Sequence, residues 1–224
     1  MMRRFARWAL AAGLAIIVAP VALLLPERQA PAADHLEPAL RVDPAFDTTP
    51  DRAADIADIY AWHTATSLIV VVTFAGPQSI TLPAVYDRDV LYGVHIGTGV
   101  PKSDATMNIY FRFGADTTNG SARHGIEVTG LPGVNGTLVG PVETSLAKDG
   151  VRVRAGLFDD PFFFDSAGLR MSRSSGSLMF DRNRNFFGGQ NLTAVVMEIP
   201  RDRISSGTNP VGVWSTAARI GGQI

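Results

Sequence analysis

The apolar residues of this chain fall mainly into short runs or into strict alternation with polar residues, and both patterns are typical of β-strands. Residues 68–74 (LIVVVTF) are β-branched and apolar and are followed by Gly76-Pro77, which predicts a buried strand. Residues 108–113 place Ile109, Phe111 and Phe113 on one face and polar residues on the other, which predicts a half-buried strand. Further strands are predicted at residues 90–96, 151–154, 192–199 and 211–214.

Turn-forming dipeptides separate these runs. Asn119-Gly120 and Asn135-Gly136 are pairs that supply the positive φ angles of a two-residue type I′ hairpin turn. After residue 33, no long segment has the 3.6-residue period of an amphipathic helix. We therefore predict an all-β fold, an antiparallel sandwich or barrel-like domain with at most one or two short helices.

Residues 49–60 have two interpretations. Thr49 could cap a short helix that begins at Pro50, with Asp51 near the positive end of the helix dipole. The β-branched Ile56 and Ile59 could equally begin a strand. The residues alone leave both interpretations open.

The first 33 residues have the layout of a secretory signal peptide. Three arginines precede residue 8, residues 8–25 carry no charge, and Ala30-Pro31-Ala32 supplies the small residues that a signal peptidase accepts. We therefore predict an N-terminal signal helix at residues 1–33 and one domain at residues 34–224, with export to the periplasm or the exterior. Because eighteen uncharged residues could just span a bilayer, an uncleaved membrane anchor is the alternative.

Charge and cysteine content narrow the classes of function. The 224 residues include 20 Lys and Arg, 21 Asp and Glu and no Cys, for a formal net charge of −1. Without residues 1–33, which hold four arginines and one glutamate, the charge becomes −4, so no basic field favours nucleic acid as a partner. Since the chain has no Cys, thiol nucleophiles and disulfides are excluded, and folding must rest on an apolar core.

Acidic residues are dense between positions 34 and 58. Asp51, Asp55 and Asp58 would share one face of a helix over residues 50–60, where their charges repel unless a cation compensates. Carboxylates favour Ca²⁺, whereas a histidine shifts the preference toward Zn²⁺, so His35, Asp55 and Asp58 are candidate ligands of a structural divalent cation. The alternative is a helix cap with a solvated acidic face.

A second group of carboxylates lies in a phenylalanine-rich segment, residues 156–165 (GLFDDPFFFD). Phenylalanines at this density predict burial, and we expect residues 158–164 to contribute to the core. The candidate ligand-binding residues are the carboxylates Asp159, Asp160 and Asp165 and the amide Asn191. Asn191 ends a later segment, residues 183–191, whose aromatic rings and amides would also suit binding of carbohydrate. Alternatively, these carboxylates accept hydrogen bonds from backbone N–H groups in turns, or they act as the acid and base of a hydrolase.

No known catalytic motif occurs in the chain. It contains no nucleophile elbow, phosphate-binding loop, dinucleotide-binding loop or zinc-protease motif. No catalytic residue is therefore assigned from the sequence.

Several segments, in the same order, resemble the bacterial DUF4331 family: ADHLEP at residues 33–38, ADIADIYAW at 54–62, DVLY at 89–92, AGLFDDPFFFD at 155–165, FGGQN at 187–191 and GVWST at 212–216. The resemblance covers nearly all of the chain after residue 33. Members of that family are exported proteins of unknown function, so the resemblance implies an exported domain rather than a reaction. It also marks positions that recur in the family, namely His35, Asp55, Asp58, Asp159, Asp160 and Asp165.

Together these observations predict an exported β-domain with a non-catalytic binding or structural role. A membrane would be contacted only through the N-terminal segment, if that segment is not cleaved. The alternative is a hydrolase that acts outside the cytoplasm with carboxylates or a bound metal ion.

Overall fold

The computed structural model of the protein describes residues 51–117, 123–204 and 210–219. Within these ranges the chain forms ten β-strands, one α-helix and a 3₁₀ turn at Arg201–Arg203. The strands are β1 Ile56–His63, β2 Ser67–Ser79, β3 Val90–Gly97, β4 Met107–Asp116, β5 Arg123–Thr129, β6 Leu138–Pro141, β7 Ser145–Lys148, β8 Val151–Asp159, β9 Gln190–Pro200 and β10 Gly212–Arg219, and the helix is α1 Ser166–Ser175.

The strands form two antiparallel sheets of five strands each. Sheet I has the order β1-β2-β9-β8-β7, and sheet II has the order β10-β3-β4-β5-β6. Their inner faces share one apolar core, in which the ring of Phe74 on β2 lies 4.5 Å from that of Tyr92 on β3. Tyr92 in turn stacks on Phe111 of β4 at 4.9 Å. The fold is therefore an antiparallel β-sandwich, and the all-β prediction is confirmed.

Strand β4 shows how alternation selects the core residues. Ile109, Phe111 and Phe113 are at most 3% exposed, whereas the residues between them are exposed on the opposite face. Full burial of a large apolar side chain stabilises the folded state by about 1.5–3 kcal/mol, which favours this orientation of the strand. The strands predicted at residues 68–74, 90–96, 151–154, 192–199 and 211–214 likewise overlap strands of the structure.

The helix interpretation of residues 49–60 is wrong for the described part of that segment. Residues 52–54 form a turn, and β1 begins at Ile56. β1 pairs with β2 in antiparallel register, with Trp62 opposite Ile69. Backbone pairing along β2, together with the strand preference of β-branched Ile56 and Ile59, outweighs the local helix-capping signal.

The phenylalanine-rich segment does not form the core that we expected. Phe158 packs in a small separate cluster, Phe162 and Phe164 are only half-buried, and Phe163 is 51% exposed. β8 ends at Asp159, so the phenylalanines after it lie in the connection to β9 rather than on an inward-facing strand.

The predicted hairpin turns also differ from those in the structure. Asn119-Gly120 lies outside the described residues. Asn135-Gly136 lies in an eight-residue connection between β5 and β6, and within this pair only Gly136 has a positive φ. The two-residue hairpin turn is instead Asp149-Gly150 between β7 and β8, where φ is 48° and 83°.

The predicted signal helix at residues 1–33 lies outside the described residues, so export stays a prediction. Of the helices in the described ranges, none has both the length and the apolar composition needed to cross a lipid bilayer.

Candidate functional site

The first predicted site combines Asp55 and Asp58 with His35, which lies outside the described residues. Asp55 precedes β1 and is buried, and its backbone oxygen accepts a hydrogen bond from the N–H of Ala75. Asp58 lies on β1 and its carboxylate accepts the hydroxyl of Tyr60 at 2.6 Å. In the part of the chain that the structure describes, no three acidic or histidine side chains are grouped to hold a metal ion. The cation with His35 stays a prediction.

Asp51, the third carboxylate of this group, forms a buried ion pair. Its partner is Arg219 on β10, which also pairs with Asp87 at 3.0 Å. These hydrogen bonds raise the pKa of Arg219 above its ordinary value. Asp51 therefore joins the turn before β1 to sheet II.

Two predicted carboxylates from separate groups lie near Tyr60. Burial of the Tyr60 hydroxyl, its hydrogen bond to Asp58 and the negative charges of Asp58 and Asp160 raise the pKa of Tyr60 well above its usual range. Tyr60 therefore stays a neutral hydrogen-bond donor at physiological pH.

The carboxylates of the second group bind backbone N–H groups. Oδ1 of the buried Asp160 accepts the N–H of Phe162 at 2.9 Å. Oδ1 of Asp165 caps α1 by accepting the N–H of Gly168 at 2.8 Å, and both oxygens of Asp165 accept from the Arg184 guanidinium at 2.9 and 2.7 Å. These bonds hold the pKa of Asp165 well below its usual range. Both carboxylates thus take the turn role that the sequence left open.

The remaining two predicted residues face each other at a strand end. Asp159 is the last residue of β8 and lies opposite Asn191 of β9 in the antiparallel register. Asp159 is exposed and Asn191 is half-buried. A ligand role for this pair stays a prediction.

The sequence did not indicate a further site, which lies on the outer face of sheet II across β10, β3 and β4. His95 lies opposite Trp214 on one side and Asn108 on the other. Its Nδ1 is 2.7 Å from Oδ1 of Asn108, and its Nε2 is 2.9 Å from Oγ1 of Thr216. The imidazole stacks on the indole of Trp214 at 5.4 Å and meets the ring of Tyr110 edge-on at 6.0 Å. We call these five residues the aromatic–amide cluster.

Gly93 allows this cluster to form. A Cβ at this position would lie 2.7 Å from Oγ1 of Thr216 and 2.8 Å from Nε2 of His95, so only glycine leaves room for that contact. Nδ1 of His95 donates to the Asn108 carbonyl, and Nε2 lies within hydrogen-bond distance of the Thr216 hydroxyl. These two contacts fix the position of the imidazole, and Tyr110 beside it is 38% exposed.

A groove of about 780 Å³ lies across β4, β5 and β6, and none of the five cluster residues lines it. Tyr110 of the cluster and Arg112 of the groove lie two residues apart on the same face of β4, so cluster and groove share the outer face of sheet II. Gly114 and Gly125, opposite each other on β4 and β5, contribute no side chains to its floor. Charged side chains pair with each other along the groove, Arg112 with Glu127 and Arg123 with Asp116, each at 3.0 Å.

Alternation in β4 predicted that Asn108, Tyr110 and Arg112 face away from the core, and this prediction is confirmed. An exposed aromatic ring on a polar strand face was the one available signal for the site. His95 and Trp214 could not be placed beside it, because they lie on strands whose neighbours are set by the sheet order.

The fold and this surface define the class of the protein as an antiparallel β-sandwich with a polar and aromatic outer sheet face. Comparison of the chain with protein-family models, with curated proteins and with solved structures found no match. The resemblance to the DUF4331 family therefore stays a prediction.

Proposed function

We propose that this chain is an exported, non-catalytic β-domain that binds carbohydrate at the aromatic–amide cluster and along the adjoining groove. The observation that carries the proposal is the fixed arrangement of Trp214, His95 and Tyr110 beside the polar groups of Asn108 and Thr216. A pyranose ring offers apolar C–H faces that pack on aromatic rings and hydroxyls that bind amide and hydroxyl groups. The cluster supplies both kinds of partner on one sheet face.

The shape of the groove supports an extended ligand rather than a single sugar. With Gly114 and Gly125 in its floor, a chain of sugar rings can lie close to the backbone of β4 and β5. Arg112 and Glu127, which pair with each other at 3.0 Å, form a polar ion pair on the groove surface to which sugar hydroxyls can bind. We therefore propose an oligosaccharide as the ligand class.

Export and membership in the DUF4331 family belong to the same proposal. Export is supported by the arginines before residue 8, the uncharged run 8–25 and the small residues around position 32. Family membership is supported by six segments in the same order. The intact mass of the protein recovered from the cell envelope tests cleavage, since loss of about 33 residues marks a removed signal peptide.

The binding proposal is tested on an array of neutral and acidic oligosaccharides, followed by calorimetric titration with the best binder. We expect Trp214→Ala and Tyr110→Ala to weaken binding roughly tenfold or more, because each removes a stacking surface. The matched control is Trp62→Ala, which removes an aromatic ring that is 51% exposed on β1 in the other sheet. Binding unaffected by the two site variants, or weakened equally by the control, would contradict the proposal.

A hydrolase is the second candidate function. The observation that favours it is the order of contacts from the Thr216 hydroxyl through His95 to the Asn108 carbonyl, which matches nucleophile, base and orienting group. If this candidate is correct, the protein cleaves an activated ester such as p-nitrophenyl acetate and Thr216→Val abolishes the activity. Equal rates for both proteins would exclude it.

A further inference from the structure

The connection between β8 and β9, residues 160–189, exposes a group of large apolar side chains. Leu178 is 86% exposed, and Phe163, Met179 and Phe180 are between 45% and 52% exposed. Phe163 and Phe180 line one shallow cavity together with Arg182, so they are neighbours in space. We call Phe163, Leu178, Met179 and Phe180 the apolar tip. Exposed apolar groups of this kind mark surfaces that bind a partner or a membrane.

The apolar tip is held in place from behind. Oδ2 of Asp165 accepts the N–H of Asp181 at 2.8 Å, and Arg184 donates to both the Asp165 carboxylate and the carbonyl of Met179. Other aromatic rings of the connection pack on one another, Phe162 on Phe164 at 6.0 Å and on Phe187 at 5.4 Å. The apolar tip therefore points outward from an ordered base.

The exposed charges of this connection are mostly positive. Residues 160–189 contain four arginines and three aspartates, but Asp160 and Asp165 are buried, so Asp181 is the exposed aspartate among them. Arg184 is paired with Asp165, but Arg170, Arg173 and Arg182 are exposed. Apolar side chains beside exposed arginines are complementary to the lipid interface, where anionic phosphates lie just outside the acyl chains.

We propose that residues 160–189 bind the surface of an anionic lipid membrane, with the apolar tip inserted below the phosphates and the three exposed arginines bound to them. The sequence predicted membrane contact only for the N-terminal segment, so this surface is an addition to that prediction.

A local probe on the full chain tests the proposal. Because the chain contains no cysteine, Leu178→Cys gives one attachment point for an environment-sensitive dye. The matched control is Val100→Cys, which is also 86% exposed and lies between β3 and β4. With vesicles of phosphatidylcholine and phosphatidylglycerol, we expect the dye at position 178 to shift to shorter wavelength, with no shift at position 100.

The charge contribution is tested with the variant Arg170→Gln/Arg173→Gln/Arg182→Gln. We expect vesicle binding to fall on the order of 100-fold at low salt, at unchanged melting temperature. The control variant replaces three exposed arginines outside this surface and outside the groove, Arg52, Arg152 and Arg201, by glutamine and should bind as the unmodified chain does. An absent shift at position 178, or one that is equal on neutral vesicles, would overturn the proposal. A shift that grows with protein concentration without vesicles would identify a second copy as the occupant and overturn it as well.

Discussion

At the scale of single residues, Asp165 is a candidate ligand-binding residue by its sequence and has the contacts of a structural one. Its two oxygens accept hydrogen bonds from two backbone N–H groups and from two nitrogens of Arg184. These bonds join the start of α1 to the segment around residue 181. The ionised form of Asp165 is therefore part of the folded state of this connection.

We expect Asp165→Asn to lower the melting temperature at pH 7 by a few degrees, because it removes the charge that Arg184 binds. Arg184 lowers the pKa of Asp165 in the folded state, so this contribution is complete above the ordinary unfolded value of about 4 and is lost progressively as the pH falls from there toward the lower pKa of the folded state. The difference in melting temperature between wild type and variant should thus begin to narrow in calorimetric melts below about pH 4. Asp159→Asn, at the exposed end of β8, serves as control. A gap that is constant between pH 7 and 3 would argue against the ion pair as its cause.

At the scale of elements, the sequence predicted the strands whose apolar pattern is clear, and the prediction failed where local signals for helix and strand conflict. β4 was predicted because its alternation leaves one orientation only, and β2 because its β-branched apolar run is short and is followed by Gly76-Pro77. For β1, the capping residues favoured a helix and the β-branched residues favoured a strand. Pairing with β2 selects the strand. α1 was missed because its sequence, rich in Ser and Arg, lacks an apolar stripe, although Asp165 and Gly176 mark its two ends.

The β7–β8 hairpin depends on Gly150, whose φ of 83° places it in the left-handed region. We expect Gly150→Ala to lower the free energy of unfolding by about 1–2 kcal/mol, the cost of that conformation for a residue with a Cβ. The nearest atom to the new methyl group would be 3.5 Å away, on Arg203, so no steric clash adds to the cost. Gly99→Ala is the control, since its Cβ would meet nothing within 4 Å and its φ is not positive. Urea unfolding of both variants measures the difference, and equal losses would refute the role assigned to φ.

At the scale of the whole molecule, the site could not be predicted because it depends on which strands are neighbours. β10 follows β9 in the chain but pairs with β3 in the other sheet, and this pairing brings Trp214 and Thr216 to His95. Alternation predicts which side of a strand faces water, whereas strand order is set by how both sheets close around a common core. The orientation of Tyr110 was therefore predictable, and its partners were not.

One core shared by both sheets predicts one cooperative unfolding unit, in a chain that has no disulfide to hold separate parts. Phe111→Ala, on β4 of sheet II, should lower the free energy of unfolding by about 3–5 kcal/mol, since it leaves a cavity beside Tyr92 and Phe74. Because Phe74 belongs to sheet I, amide hydrogen exchange should accelerate in β2 and β9 as much as in β3 and β4. The control Phe163→Ala removes a ring from the apolar tip and should leave exchange in all four strands unchanged. If Phe111→Ala accelerated exchange in sheet II alone, the two sheets would open independently, and the core would not be the single unit that the ring contacts between them indicate.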